Sequence, residues 1–367
     1  MKIQSNIGIL SYGTYLPTTV VTASEIGGAH GGDGVQGKLL GVKQKTVAAI
    51  DEDTITMATQ AGYRALESWR GGKSEQEFAQ KRSAIGALFI GSESHPYAVK
   101  PSGTVVKGAL GLPDDIALAD LQFACKAGTQ ALQIGLSYVQ AGMTSAALAI
   151  GADTAQSRPG DVLEFTAAAG AAAYLIGRES EKKSAAEQRV IARCVETSSL
   201  ATDTPDFWRR PGQPYPEHAG RFSGEPGYFA HITRAAQAIM NKLQLQPNDF
   251  SWCVFHTPNG KFPQAVAQRL GFTAEQLAPS LIVHEIGNTY AAASLLALAA
   301  VLDQAQPGQK ILAVSYGSGA GADAFVFEIT PALLTFRKTQ RRTVHSSLEH
   351  VHPISYQSYQ SSHEGKH

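Results

Sequence analysis

Two stretches of this chain follow one plan, and that plan limits the fold more than any single motif does. In the first, the apolar run 83–90 leads to Glu93, a small-residue helix opens at Cys125, Gly142 ends it, and the small apolar run 145–150 follows. In the second, the apolar run 252–255 leads to His256, another small-residue helix opens at Asn288, Gly308 follows, and 310–314 is the next apolar run. Glu93 and Cys125 are separated by 32 residues, and so are His256 and Asn288. A repeated strand–helix–strand unit implies an α/β protein with two similar halves about a pseudo-twofold axis, where matching strand ends and helix starts meet. The expectation is that Glu93, Cys125, His256 and Asn288 converge there.

Cys125 has two readings on its own stretch, FACKAGT (residues 123–129). It is a small hydrophobe filling a core, as many lone cysteines are. Alternatively it is a nucleophile at the start of a helix, whose unpaired N–H groups and positive end would lower the thiol pKa. Its three partners favour the nucleophile: a thiolate to take an acyl group, a carboxylate to move a proton, an imidazole and an amide to hold a carbonyl. Glu93 in a largely apolar cavity would have a raised pKa. The backbone N–H groups of Cys125 and of residues 317–321 would form an oxyanion hole.

Composition narrows the alternatives. Lysine plus arginine and aspartate plus glutamate both number 31, so no global field draws nucleic acid or a membrane surface, and an anionic ligand must be held by local basic groups. No apolar run approaches a membrane span, and the first ten residues read as a strand rather than a signal peptide. The three cysteines, Cys125, Cys194 and Cys253, are odd in number and far apart, which argues against a disulfide framework and for a cytoplasmic setting. The stretch 32–37 matches the dinucleotide pattern GxGxxG but lacks the flanking strand and helix, so residues 25–38 read as a mobile surface loop. The charged stretch 179–189 suits a hairpin tip or a seam between the halves.

With these residues in view, the chain closely resembles the 3-hydroxy-3-methylglutaryl-CoA synthases, in their shorter archaeal-type branch. The resemblance rests on GSESHPYAVKP (91–101), FACKAGT, AIGADTAQ (149–156), PGDVLEFTA (159–167), TPDFWRRPGQPYPEHAGRFSGEP (204–226), FHTPNGKFP (255–263), GNTYAAAS (287–294) and SYGSGAGADAF (315–325). It implies a thiolase fold, α/β, with two pseudo-twofold related halves in a layered α-β-α-β-α architecture. The halves would be residues 1–180 and 181–335, with a C-terminal extension over 336–367.

The resemblance also implies roles. Cys125 would be acetylated by acetyl-CoA, Glu93 would serve as base and then acid, and His256 would polarise the ketone of acetoacetyl-CoA with Asn288 and Ser318. Lys261, Arg221 and Ser223 would contact coenzyme A, and Thr166 would line the acyl pocket. No metal, flavin or nicotinamide would be needed beyond the coenzyme A thioesters. Partners implied are a second copy of the chain, paired through the strand near 145–150, and a complex with an acetoacetyl-CoA thiolase and a small zinc-ribbon/OB protein. The glycine-rich loop at 27–37 and Ala265, where the family tends to carry a base, depart from the family pattern. Two other readings compete: a ketoacyl synthase III-like acyltransferase of a secondary pathway, whose Cys-His-Asn set lacks the glutamate, and a non-catalytic scaffold, which has no use for all three of Cys125, Glu93 and His256.

Overall fold

The computed structural model describes residues 1–154, 157–179, 189–319 and 321–363. Most of the charged stretch 179–189, and the boundary at 180/181, lie outside the described residues. The first half supplies β1 (Ile7–Tyr15), β2 (Thr19–Thr22), β3 (Gln44–Val47), β4 (Ile85–Gly91), β5 (Ala117–Leu121), β6 (Ala146–Thr154) and β7 (Ala169–Arg178). The second supplies β8 (Ala192–Ala201), β9 (Phe207–Trp208), β10 (Glu217–His218), β11 (Trp252–Phe255), β12 (Lys310–Val314) and β13 (Gly321–Ile329), and β14 (His352–Pro353) follows near the C-terminus.

Nine of these strands form one sheet in the order β11-β12-β13-β8-β1-β7-β6-β4-β5. The order is nearly symmetric about β1 and β8, which pair only at Gly8–Arg193 and Ile9–Ala192. Outward from that seam, β7 and β13 are antiparallel neighbours of β6 and β12, and these lie parallel to β4 and β11. This is the doubling read from the repeat. The symmetry fails at the edge: among the described residues no strand of the second half matches β5, and residues near 283 form the short helix Val283–Ile286 instead.

Side-chain alternation in the central strands shows why layers form. In β6, Ala147 and Ala149 face one core, while Ala146, Leu148 and Ile150 face another, as the two-residue period of a strand buried on both faces requires. The first core lies between the halves and encloses the helices Ala127–Gln140 and Ala293–Leu302. All ten residues of Ala293–Leu302 are buried, which suits a helix that is apolar all round. A second core packs Thr54–Arg70 and Ser102–Ala109 on the outer face of the first half. A third packs Phe229–Leu243 and Phe262–Leu270 on the outer face of the second. The result is a layered α-β-α-β-α architecture.

Two expectations are corrected here. Residues 25–38 are not a loop: they belong largely to the helices Ala23–Ala29 and Val35–Leu40. The Thr22 hydroxyl caps the first by accepting from the Glu25 N–H at 3.1 Å. A Cβ on Gly27 would lie 2.2 Å from the Gly34 nitrogen, so glycine here permits backbone contact rather than mobility. The segment that departs from the family pattern is therefore helical. The second correction concerns dimer pairing. β6 is hydrogen-bonded on both sides, by β4 and β7, so it offers no edge to a second copy; β5 and β11 end the sheet.

Residues 336–363 fold back over both halves. Phe336 and Val344 enter the first core, and β14 extends a small sheet with β2 and β3. The helix Tyr356–His363 is tied to the turn Val162–Phe165: the Tyr356 hydroxyl donates to Glu164 Oε1 at 2.7 Å, and His30 Nε2 lies 2.9 Å from Glu164 Oε2. Buried Lys45 joins the cluster, donating to the Tyr359 hydroxyl at 2.9 Å.

Candidate active site

The site lies where strand ends of both halves meet the starts of the two central helices. Glu93 follows the C-terminal end of β4, and His256 follows that of β11. Cys125 sits two residues before the helix Ala127–Gln140, after Ala124 with φ +46°, a left-handed conformation uncommon without glycine. Close approach is possible because small residues leave room. A Cβ on Gly91 would be 2.1 Å from the Ala127 carbonyl carbon, and one on Gly128 would be 2.3 Å from the Ala291 carbonyl oxygen.

The repeat is displaced by one helical turn from the pairing of Cys125 with Asn288. Tyr290, with φ +48°, matches Ala124, and the helices then run from Ala127 to Gln140 and from Ala293 to Leu302, each followed by a glycine of positive φ, Gly142 and Gly308, before the next strand. Cys125 thus corresponds to Ala291. Asn288 stands one turn upstream, held by a bond from its N–H to the Thr166 carbonyl at 2.6 Å and by the Ala168 N–H donating to its own carbonyl at 2.9 Å. Its Oδ1 accepts from the Tyr290 N–H at 3.0 Å, which turns the amide N–H2 toward the cavity.

An apolar cavity of about 400 Å³ ends on Cys125, His256, Asn288 and Ser318, with Thr166 and Ser223 also on its wall. Leu40, Leu163, Phe207, Pro258 and Phe262 supply much of its apolar surface. Lys261 is exposed and lies between Pro258–Asn259 and Phe262 at the cavity's edge, its own N–H bonded to Asn259 Oδ1 at 2.9 Å. Arg221 lies in the turn Gly220–Ser223; its side chain is outside the described residues. The fold therefore gathers Cys125, His256, Asn288, Ser318, Thr166 and Ser223 on one cavity and leaves Lys261 at the rim.

Glu93 approaches Cys125 from another side. Its carboxyl group lies close enough to the thiol for each to shift the other's protonation, and it faces a separate, more polar opening. Burial, then the nearby Asp153, push the Glu93 carboxyl up to about 8, against a smaller downward pull from the Cys125 hydrogen bond and Arg209. The raised value matches expectation.

The thiol does not. Burial first, then the charge of Glu93 and its hydrogen bond, and Asp153, push Cys125 well above its usual range. Desolvation and two carboxylates outweigh a helix end that begins two residues later. Burial likewise pushes His256 down to about 3, so its imidazole is neutral. At neutral pH the resting trio is a thiol, a largely protonated carboxyl and a neutral imidazole.

The oxyanion-hole expectation is narrowed too. In the loop after β12, the Gly317 N–H donates to the Gly321 carbonyl at 2.8 Å, the Gly321 N–H returns to Gly317 at 3.0 Å, and the Gly319 N–H is taken by Asp206. Ala320 lies outside the described residues. These glycine donors serve the loop's own geometry, not a ligand.

Asp153 reads from sequence only as part of a turn, yet it organises the site. Fully buried at the end of β6, its Oδ1 accepts from the Ser92 hydroxyl at 2.7 Å, the Glu93 N–H at 2.8 Å and the Ser94 hydroxyl at 2.7 Å, and its Oδ2 accepts from the Ala291 N–H at 2.8 Å. It thereby links the Glu93 loop to the second central helix. On the other side of Cys125, buried Lys126 donates to Asp323 Oδ1 at 2.9 Å and Gln130 Oε1 at 2.7 Å, 3.7 Å above the Phe123 ring. The nucleophile's backbone is fixed from both sides.

The chain is similar to proteins of known family. Residues 240–329 match the family described as 3-oxoacyl-acyl-carrier-protein (ACP) synthase III C terminal. A hydroxymethylglutaryl-CoA synthase of Archaeoglobus fulgidus is 50% identical over 328 residues, 89% of this chain and 90% of that one. Another, from Methanosarcina barkeri, is 46% identical over 361 residues, 98% of each. Among solved structures, an HMG-CoA synthase complexed with CoA superposes with a TM-score of 0.82 at 22% identity, over 98% of this chain and 90% of that one. At that identity the likeness speaks to fold alone.

Proposed function

Because the chain belongs to the hydroxymethylglutaryl-CoA synthases, acyl-condensing enzymes, we propose that its site joins acetyl-CoA to acetoacetyl-CoA through an acetyl group carried on Cys125. The observation that carries this reading is that Cys125, His256 and Asn288 share the wall of one apolar cavity while buried Glu93 stands beside the thiol from another side. Cys125 sulfur attacks the acetyl thioester, its C–S bond forms, and coenzyme A leaves as the thiol. Glu93, as carboxylate, takes a proton from the acetyl methyl group. The resulting carbon attacks the ketone of acetoacetyl-CoA, whose oxygen is polarised by neutral His256 and the Asn288 amide, and Glu93 returns the proton to that oxygen. Water then cleaves the Cys125 thioester.

Ser318 and Thr166 shape the acyl end. Ser223 flanks the coenzyme's path, Lys261 meets its phosphates at the rim, and Arg221 is the second basic group proposed for them. The side chains and the thioesters themselves supply each step, and the product feeds the mevalonate pathway. The protein works in the cytoplasm; no helix among the described residues is long and apolar enough to cross a membrane. It acts as a homodimer, and the half-buried edge strand β5, carrying Ala117, Leu118, Ala119 and Leu121, is the surface that suits a second copy. A complex with an acetoacetyl-CoA thiolase and a zinc-ribbon/OB protein extends the same proposal.

The test is to mix the protein with both thioesters and follow free thiol and product. Acetylation of Cys125 without condensation would sink the synthase reading in favour of simple acyl transfer.

A further inference from the structure

The proposed reaction consumes water at its last step, and the apolar cavity is then in the wrong state to deliver it. After condensation the intermediate is bonded to Cys125 at one end and carries a coenzyme A arm at the other, so it fills the cavity through which the substrates arrive. A second route leads to Glu93 and Ala124, next to the same sulfur. Two cavities of mixed lining, about 220 and 860 Å³, share Glu93, Ser94, Gln122, Thr154 and Arg209 as walls, and the smaller also touches Asp153. The smaller one meets the apolar cavity at Phe207 and Tyr290, whose ring centroids are 6.2 Å apart and which flank Cys125.

The walls of this second route hold polar atoms that the protein leaves unpartnered. Glu93 Oε1 is enclosed without a hydrogen-bond partner. His95, its side chain 6% exposed on the wall of the larger cavity, places Nδ1 2.9 Å from the Ser102 hydroxyl but leaves Nε2 enclosed and unpartnered. Buried polar atoms in such a state call for water.

We infer that the passage running past His95, Gln122 and Glu93 is the water inlet of the enzyme, separate from the cavity that takes the thioesters. This rests on the function proposed above. Water entering there reaches the thioester carbon from the Glu93 side: its oxygen bonds that carbon, the carbon–sulfur bond to Cys125 breaks, one proton ends on sulfur, and the other is lost as the new carboxyl group ionises. The Phe207–Tyr290 pair keeps the two compartments apart, so the acetyl group is guarded on one face while hydrolysis is fed on the other.

Gln122 is exposed at the junction of these two cavities and Pro216 lines the smaller one. Gln122→Trp and Pro216→Trp would plug the passage, and Gln122→Ala would leave it open. In single-turnover experiments the acetylation of Cys125 is read by coenzyme A release, and the condensed covalent adduct by intact-protein mass spectrometry. Both tryptophan variants should acetylate within about twofold of wild type yet release product at least about tenfold more slowly, with the adduct accumulating; Gln122→Ala should behave as wild type. Unchanged hydrolysis in both tryptophan variants would overturn the inlet, and so would a parallel loss of acetylation and hydrolysis. If the wild type forms no condensed adduct at all, the functional reading fails instead.

Discussion

Replacing Glu93 by Gln should cost the enzyme its activity and give the fold stability at alkaline pH, and both effects follow from one environment. In the folded protein the carboxyl keeps its proton up to about pH 8, whereas in the unfolded chain it gives the proton up near about 4.3. A carboxyl whose folded pKa is raised leaves stability intact below the unfolded value. Stability is then lost as pH rises toward the folded value, because the unfolded state binds fewer protons across that window. The loss amounts to at most about 5 kcal/mol once pH exceeds 8. The amide that replaces the carboxyl has nothing to ionise. Urea unfolding of wild type and Glu93→Gln at pH 5 and pH 9 should therefore show the variant gaining several kcal/mol on the wild type between the two, about 3–5 as an upper range. Condensation by the same variant should fall about 10²–10⁴-fold while Cys125 still acetylates. A stability difference equal at both pH values would refute the raised carboxyl pKa, and near-normal condensation would refute its role in proton transfer.

Other perturbations read other parts of the site. In pre-acetylated enzyme, the condensation rate should climb about tenfold from pH 6 to 7 and level off above about pH 8, as the Glu93 carboxylate forms; a flat single-turnover profile would contradict this. Lys126→Met leaves Asp323 buried without its cation and should destabilise by about 3–5 kcal/mol, and the double variant with Asp323→Asn should recover part of that, measured by denaturant unfolding. Gly128→Ala places a methyl group 2.3 Å from the Ala291 carbonyl oxygen; the two central helices must separate, so activity should drop together with a lowered melting temperature of several degrees, on the order of 1–3 kcal/mol.

How much of this was legible in the chain depends on whether the signal was local. Glu93, Cys125, His256 and Asn288 could be read because each stands at a punctuation point, a strand end or a helix start, and the punctuation repeats. The register could not: Asn288 lies a turn from the position equivalent to Cys125, because 34 residues separate His256 from Tyr290 and only 31 separate Glu93 from Ala124, its counterpart. Residues 25–38 mislead for a physical reason. Glycine reads as freedom along a chain, but at Gly27 it is the absence of a side chain between two backbones that matters. Asp153 stays hidden in the sequence because its four donors come from Ser92, Glu93, Ser94 and Ala291, residues that only the closed fold assembles.

The thiol pKa is the sharpest case, since a sound local rule gives the wrong sign. A helix N-terminus does favour a thiolate, but by about 1 kcal/mol where exposed and up to about 2 when partly buried. Full enclosure and the proximity of Glu93 and Asp153 act in the opposite direction and dominate. The consequence bears on mechanism. A standing thiolate would put a charge at the end of an apolar cavity that must receive an uncharged acyl group. A neutral thiol beside a carboxyl whose pKa is about 8 keeps that part of the cavity free of charge. The base is nevertheless within one proton transfer of being ready, with about a tenth of Glu93 ionised at pH 7. Glu93 is also one of the groups that hold the thiol protonated, so its loss should be felt mainly after acetylation, when the acetyl methyl group rather than the thiol must lose a proton.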